Sequence, residues 1–505
     1  MSLLSMRGLL LASAFTVSLN GVGWAADVTE AQAEDLTARL RTWMSGLVAN
    51  RLPIPPDAVI VTPDGQNYRI AFPMPPDVLR LTDAAGKPTN ALITYVVRPL
   101  DGTRWSIQDI ALPGGIVLGP RAAEAMKQAS PGTNPAAEFH MRSRSASGVY
   151  DTAQATESRI EYRMQGISYT LHDMGTPGES NVSVERAAGM QSLSPAGNGA
   201  MDYKAEGSAE GYKATFITPT AGAIQFSARR VSARLEGTGV MGGQLAALIQ
   251  NGVTMAMDAQ TGADNGDTKA RRAGGLKLIG LLKNILAGLR LQETIEGIEI
   301  NAADTPVSLG QITMEYGGEA PADRLRAFMQ LGLTDLKIGK LPPQFADLAP
   351  RAADMRISVS NLDLKGLTRL AEASLADEAY PNALEEQLVT LLINGETNFA
   401  IDQILIDLGF ASLKATGKGR LMRLSTVREP VSGRAEGQVT ITGFDALMER
   451  AGKLPNADQA LPVLALIKGF GKADGDRMVW NLLYDENRQF LVNGVDVTKM
   501  GGKPR

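Results

Sequence analysis

Arg159-Ile160-Glu161-Tyr162-Arg163-Met164 alternates charged with apolar residues, and Ser180-Asn181-Val182-Ser183-Val184-Glu185 alternates in the same way. A side-chain period of two puts every second residue on one side of an extended backbone, so each segment has one face to bury and one to leave wet. Ala223 to Leu235 continues the pattern with Ile224, Phe226, Val231 and Leu235 as its apolar set. Its phase slips near Ala228 to Arg230, where a bulge is expected. Half-buried strands of this kind build antiparallel sheet. No alternation of helices with continuously apolar strands interrupts Phe139 to Glu236, so this stretch reads as strand after strand.

Upstream, Asp27 to Asn50 reads as a helix capped by Thr29, with Leu36, Leu40, Trp43, Met44 and Leu47 at helical spacing and Pro53, Pro55 and Pro56 ending it. Strands are expected at Ala58 to Thr62, Tyr68 to Phe72, Ala91 to Arg98 and Arg104 to Leu112, with tight turns at Asp64-Gly65 and Asp101-Gly102. A short helix is expected at Arg121 to Gln128, before a Pro-containing break at Ser130 to Pro135. Residues 26–115 therefore read as a small N-terminal α+β unit, and 136–505 as an extended antiparallel sheet.

Downstream, a helical stretch followed by a strand pair recurs three times, at Gly275 to Gly318, Leu364 to Leu424 and Phe444 to Val497. Helices are expected at Gln244 to Ala256, Leu276 to Leu291, Ala322 to Leu331, Leu364 to Ala373, Pro381 to Leu392, Phe444 to Gly452 and Ala460 to Phe470. Strands are expected at Glu293 to Asn301, Val307 to Tyr316, Asp354 to Leu362, Glu396 to Ile401, Ile404 to Leu408, Ala411 to Leu424, Arg477 to Tyr484 and Phe490 to Val497. The fold class that follows is β-rich α+β: a long, curved antiparallel sheet with helices packed on one face.

Net charge of −4 lacks the basic footprint that nucleic-acid binding requires. With no cysteine, the chain has no thiol nucleophile, CxxC redox pair or thiolate zinc site. Arg7, the apolar run Gly8 to Leu19 and the small residues Gly23 and Ala25 fit a cleavable signal peptide over residues 1–25. An uncleaved inner-membrane anchor is the alternative. The expected compartment is the periplasm.

Gly237-Thr238-Gly239-Val240-Met241-Gly242 matches the dinucleotide spacing G-x-G-x-x-G, with Asp258 downstream. The strand before it alternates, and no second βαβ unit follows, so a Gly-rich strand-to-helix turn is the better reading and no cofactor is expected. His140 and His172 are the only histidines. Without a G-x-S-x-G elbow or an H-E-x-x-H helix, neither gains a triad or a zinc site, and both read as sheet-surface residues; no catalytic or metal residue is assigned. Glu385-Glu386 and Asp377-Glu378 stand at helix starts, where carboxylates oppose the macrodipole. Asp264-Asn265-Gly266-Asp267 lacks the closing Glu of a calcium loop.

Leu278, Ile279, Leu282, Ile285, Leu286 and Leu289 form an apolar stripe flanked by Lys277, Lys283 and Arg290. Such a stripe packs over a sheet as core, or lies on an anionic membrane surface and contacts a hydrophobic ligand.

Ser360-Asn361-Leu362-Asp363-Leu364-Lys365-Gly366-Leu367 runs a strand directly into a helix, as does Thr442-Gly443-Phe444-Asp445-Ala446-Leu447, while Asn394-Gly395-Glu396 feeds a hairpin. Over residues 140–497 this style resembles bacterial envelope proteins built from domains of unknown function, which share it with AsmA-like proteins. The resemblance implies an elongated periplasmic β scaffold serving outer-membrane maintenance or lipid handling, with no catalytic residues to carry over. AsmA-like proteins usually keep an N-terminal anchor, whereas Gly23-Trp24-Ala25 reads as cleavable. The expected partners are a lipid or an envelope protein, with peripheral membrane contact and no nucleic acid. A protein-interaction module and a hydrolase using His140 or His172 are the alternatives.

N-terminal sequencing of the protein purified from the envelope of a Gram-negative host should begin at Ala26. A chain that still starts at Met1 and stays with the membrane would support the anchor instead.

Overall fold

The computed structural model describes residues 28–48, 58–101, 104–129, 132, 134–151, 156–173, 178–197, 200–218, 222–241, 288–302, 305–342, 345, 348–376, 381–423, 431–455 and 457–498. The chain divides into two compact units, Met1–Ala287 and Gly288–Arg505. Among the described residues every strand pairing is antiparallel, and strand is the dominant structure.

The first unit opens with helix α1 (Glu30–Val48). The Gln32 amide donates to Thr29 Oγ1 at 3.3 Å, which satisfies one of the orphan donors at the helix start. Ala33, Leu36 and Leu40, spaced on one helical face, are buried. Strands β1 (Ile60–Asp64), β2 (Asn67–Pro73), β3 (Leu79–Thr82), β4 (Pro88–Thr89), β5 (Ala91–Pro99) and β6 (Arg104–Ala111) follow, and β1, β2, β5 and β6 supply most of the partners of these residues. Fully buried Tyr68, on β2, donates its hydroxyl to Gln32 Oε1 at 2.7 Å, tying α1 to the sheet. Tyr68 and Trp105 pack with centroids 6.0 Å apart, and Phe72 meets Tyr95 edge-on at 6.1 Å.

Then follow β7 (Gly115–Leu118), helix α2 (Pro120–Ala129), β8 (Ala136–His140) and β9 (Ser143–Asp151). Long strands complete the unit: β10 (Thr156–His172), β11 (Glu179–Gly197), β12 (Ala200–Thr218) and β13 (Gly222–Met241). At a rise of about 3.3 Å per residue, strands of this length reach roughly 60 Å. β8 and β9 lie in tandem along one edge of β10, paired to its second and first parts respectively. The sheet forks at the break between them, where Met141 is buried. From β9 it continues through β6, β5, β2 and β1; from β8 it continues through β7, β3 and β4.

The apolar set on each long strand changes phase midway. On β10 it runs Ile160, Tyr162, Met164 and then Ile167, Tyr169, Leu171. On β13 the buried residues are Ala228 and Val231, one even and one odd. The pairings skip the same place on each strand, leaving Gly166 opposite Glu185 and Gly211 opposite Arg229 while the register on either side is unchanged. Gly166 has φ +60° and Gly211 +65°. A left-handed residue takes one position out of the alternation without a side-chain clash, so the apolar side stays on one face. A Cβ on Gly211 would collide with the Glu185 side chain. The phase slip expected near Ala228 to Arg230 is thus a row crossing several strands, not a bulge confined to one.

The second unit comprises β14 (Gly288–Ala302), β15 (Thr305–Glu319), β16 (Arg324–Thr334), β17 (Lys337–Ile338), β18 (Ala352–Asp363), α3 (Leu364–Ala376), α4 (Pro381–Asn394), β19 (Asn398–Asp407), β20 (Ser412–Arg423), β21 (Val431–Thr442), α5 (Phe444–Ala451), α6 (Ala457–Phe470), β22 (Lys472–Asp474), β23 (Arg477–Tyr484), β24 (Phe490–Val492) and β25 (Val495–Asp496). Its backbone is a meander in the order β14, β15, β16, β18, β19, β20, β21, β23, β24, β25. α3 and α4 are inserted between two paired strands, β18 and β19; α5 and α6 precede β23, which pairs with β21. Phe444 of α5 and Leu464 of α6 join Trp480, Val439, Ile441 and Val492 in the best-formed core of this unit. Lys468 Nζ bridges to Asp445 at 2.5 Å, and Trp480 Nε1 donates to the Ile467 carbonyl at 2.8 Å, fixing α6 to α5 and to the sheet.

Two expectations fail here. Ala322 to Leu331 is not a helix: a short turn at Pro321–Asp323 leads directly into β16. Leu325, Ala327, Met329, Leu331 and Leu333 alternate, and cross-strand burial on both sides decides for strand over the good helix formers between them. Leu289 and its neighbours from Gly288 onward belong to β14, not to a helix ending at Leu291. The rest of the expected Leu276 helix, the Gln244 to Ala256 helix, Asp258, Asp264 to Asp267 and Asp377-Glu378 lie outside the described residues, as do residues 1–27.

Replacing Leu40 with Ala should destabilise the first unit by about 2–5 kcal/mol, because the helix anchor leaves a cavity under α1. Urea denaturation of the intact chain followed through Trp105 fluorescence measures it.

Candidate hydrophobic-ligand face

In the second unit the register aligns apolar residues in rungs across the sheet. One rung runs Leu291, Tyr316, Met329, Ile357, Ile401. The next contains Met314, Leu331, Met355 and Ile404, two residues along β15, β16 and β18 and three along β19, where the register shifts. On the other side lies Leu289, Gly318, Ala327, Val359, Phe399. Gly297, at φ +60° on β14, sits opposite Gly310 on β15 and switches the phase here too, so that Ile298 pairs with Leu309 and Ile295 with Ile312.

Leu289, Tyr316, Leu331, Ile357, Phe399 and Ile401 are each 36–42% exposed, and all six share this face. Together they form an exposed apolar patch of the kind that often marks an interaction site. Beyond Phe399 and Ile401 the rungs meet glycines: Ile401 pairs with Gly417 and that with Gly437, while Phe399 pairs with Gly419. The rungs regain side chains at Leu482 and Tyr484. The sequence thereby cuts a glycine-floored trough into the apolar face, with Phe399 and Ile401 on one wall and Leu482 and Tyr484 on the other.

The opposite face is polar. Arg290 Nε meets Glu315 at 2.8 Å, Lys418 Nζ meets Glu436 at 2.8 Å, and Asp354 accepts from Gln330 at 2.8 Å and Gln403 at 3.1 Å. The Lys418 ammonium holds the Glu436 carboxyl below its ordinary range. Exposed pairs of this kind stabilise little. Their effect is to keep this side wetted and so to distinguish the two faces.

The first unit repeats the arrangement with different side chains. Arg159 pairs with Glu161 and Arg234 with Glu236 on one face. On the other, the Tyr162 side chain lies across Gly189 and approaches Gly207. Burial pushes the Tyr162 phenol above its ordinary pKa.

Of the stripe expected to touch a ligand or membrane, Leu289 lies on the apolar face of β14 at 41% exposure. Leu278, Ile279, Leu282, Ile285 and Leu286 lie outside the described residues. Gly237 to Met241 continue β13 in antiparallel pairing with β12, and the Gly239 amide donates to Asp202 Oδ1 at 3.1 Å, so this part of the G-x-G-x-x-G run is strand and not the expected strand-to-helix turn. His140 stands on β8 with Glu138 at 3.7 Å; His172 ends β10 with Glu179 at 3.5 Å. Beside it, the Asp173 carboxyl is held below its ordinary pKa by the Gly178 and Asn134 amides that donate to it, which makes it a turn residue. Among the described residues no group of three or more His, Asp or Glu could hold a metal ion, and no helix is long and apolar enough to cross a membrane. Comparison with protein-family models, curated proteins and solved structures found no match to this chain.

The raised phenol of Tyr162 gives a pH signature. The folded value lies above that of the unfolded chain, so stability is full below about pH 10 and falls as pH rises through the folded value. Tyr162→Phe should flatten that alkaline decline in the urea midpoint; an unchanged decline would show that Tyr162 does not contribute to it.

Proposed function

We propose that this protein is a non-catalytic periplasmic envelope protein that holds the acyl chains of a lipid along the apolar face of its second unit. The observation that carries the reading is the alignment of the six exposed large apolar residues with a trough floored by Gly417, Gly419 and Gly437. An exposed apolar surface gains by burying hydrocarbon, at about 25 cal/mol per Å². Side chains missing from the floor leave room for a chain to lie against the backbone.

In this reading the helices act as a partial roof on one face of a long curved sheet. α5 and α6 already close over the rungs at Val439, Trp480 and Val492, and α4 lies beside β18 and β20. The AsmA-like resemblance of residues 140–497 agrees with such a roofed scaffold in outer-membrane maintenance.

A protein-interaction module is the second reading, favoured by the outward side of α6. There Val463 is 56% and Leu466 63% exposed, although the other side of this helix is packed. A stoichiometric protein partner that co-purifies in the absence of lipid would select it.

Protein purified from the envelope under mild conditions should carry extractable lipid, detected by native mass spectrometry. Ile401→Lys should reduce the bound lipid about tenfold, since a charge in an apolar site is strongly disfavoured. Thr416→Lys, on the polar face, should leave it unchanged. Equal loss in both variants, or lipid-free wild type, would refute the assignment.

A further inference from the structure

One cavity in the second unit has a chemistry that the apolar face does not explain. It lies where the C-terminal end of α4 meets the strand ends of β16 and β18, and has a volume of about 410 Å³, within the range of small-ligand sites. Arg324, Asp363, Glu386, Leu391, Asn394 and Gly395 contribute to its wall. Arg324 and Asp363 are register partners across two strands, whereas the others come from α4 and the turn after it.

Charges of both signs line this cavity, yet Arg324 forms no ion pair with either carboxylate among the described residues. Its Nη1 donates to the Gly395 carbonyl at 3.3 Å, a contact that uses one of the five N–H groups of a guanidinium. Asp363 Oδ1 accepts from the Gly366 amide at 3.0 Å, the cap of α3, and Oδ2 is left over. Thr397 is 1% exposed, and its Oγ1 has no hydrogen-bond partner among the described residues. A Cβ placed on Gly395 would stand 3.3 Å from that Oγ1 and 3.5 Å from Arg324 Nη1. Gly395 thus stands between the arginine in the cavity wall and a buried hydroxyl behind that wall. The helix end adds partial negative charge, which favours a cation.

We propose that this cavity binds a phosphoethanolamine group: the phosphate on Arg324, whose fork suits phosphate oxygens, and the ammonium beside the carboxylates Glu386 and Asp363. The next register pair along the strands is Leu325 with Leu362, followed by Ala327 with Val359 in the rung that contains Phe399. A headgroup held here would sit at the strand ends, one register pair from Leu325 and Leu362 at the end of the apolar face. The lipid source of the group rests on the function proposed above; the zwitterion chemistry of the cavity does not.

The full chain would be titrated calorimetrically with free phosphoethanolamine. Separately, it would be incubated with vesicles of phosphatidylethanolamine or of phosphatidylglycerol bearing the same acyl chains, and the lipid retained on the protein measured. Retention of phosphatidylethanolamine should exceed that of phosphatidylglycerol by about tenfold, the range expected for one charged contact. Glu386→Gln, at an exposed position, should keep lipid but lose most of that preference, with an unchanged circular-dichroism melt. Arg324→Gln should weaken free phosphoethanolamine binding by about tenfold. Equal retention of both lipids with no heat from phosphoethanolamine would overturn the cavity assignment while sparing the apolar-face reading. Heat from phosphoethanolamine with no lipid retained would support the cavity and remove the lipid as its source. No binding in either arm would overturn both.

Discussion

Everything amphipathic about these sheets depends on a row of residues that step out of the strand alternation together. Strict alternation over strands of 19 or 20 residues would transfer the apolar set to the wrong face wherever one position was gained. In the first unit the gain occurs on neighbouring strands at the same level, with Gly166 opposite Glu185 and Gly211 opposite Arg229; the second unit has its own, with Gly297 opposite Gly310. Register is therefore conserved on both sides of the row. Left-handed backbone at Gly166, Gly211 and Gly297 makes this possible at low steric cost.

The two units solve the problem of burial differently. The first has a true core in which α1, Tyr68, Tyr95 and Trp105 are all but removed from water. Away from it, and across much of the second unit, side chains are only half covered, and two-faced sheet with thin cover is the prevailing architecture. Hydrophobic burial thus stabilises the first unit most around α1, and the second unit most around α5 and α6.

Much of the fold was legible from sequence because period-two alternation is a local signal. It located the strands of Phe139 to Glu236, while helical spacing located the α1 face at Leu36 and Leu40 and the helix pairs beginning at Leu364 and Phe444. It failed at Ala322 to Leu331, where local propensity and pattern disagreed and the neighbouring strands decided. The strand Val431–Thr442 was expected only at its end, before Phe444, because Gly433, Ala435 and Gly437 hide its apolar phase. The Arg324 cavity could not be read at all. Its wall unites residues from Arg324 to Gly395 through a strand register and a helix end, and neither leaves a mark in nearby sequence. The exposed rungs were half legible: the amphipathic strands could be seen, but not which of their greasy sides lacked a cover.

Because nearly every strand of the second unit pairs with a chain neighbour, the scaffold is assembled in modules of one hairpin. Closing each loop costs little entropy, since few residues separate most partners. Adding or deleting a hairpin together with its turn would widen or narrow the sheet while leaving every other pairing in place. Such an architecture can be made broader or narrower by counting strands, with no redesign of an interior.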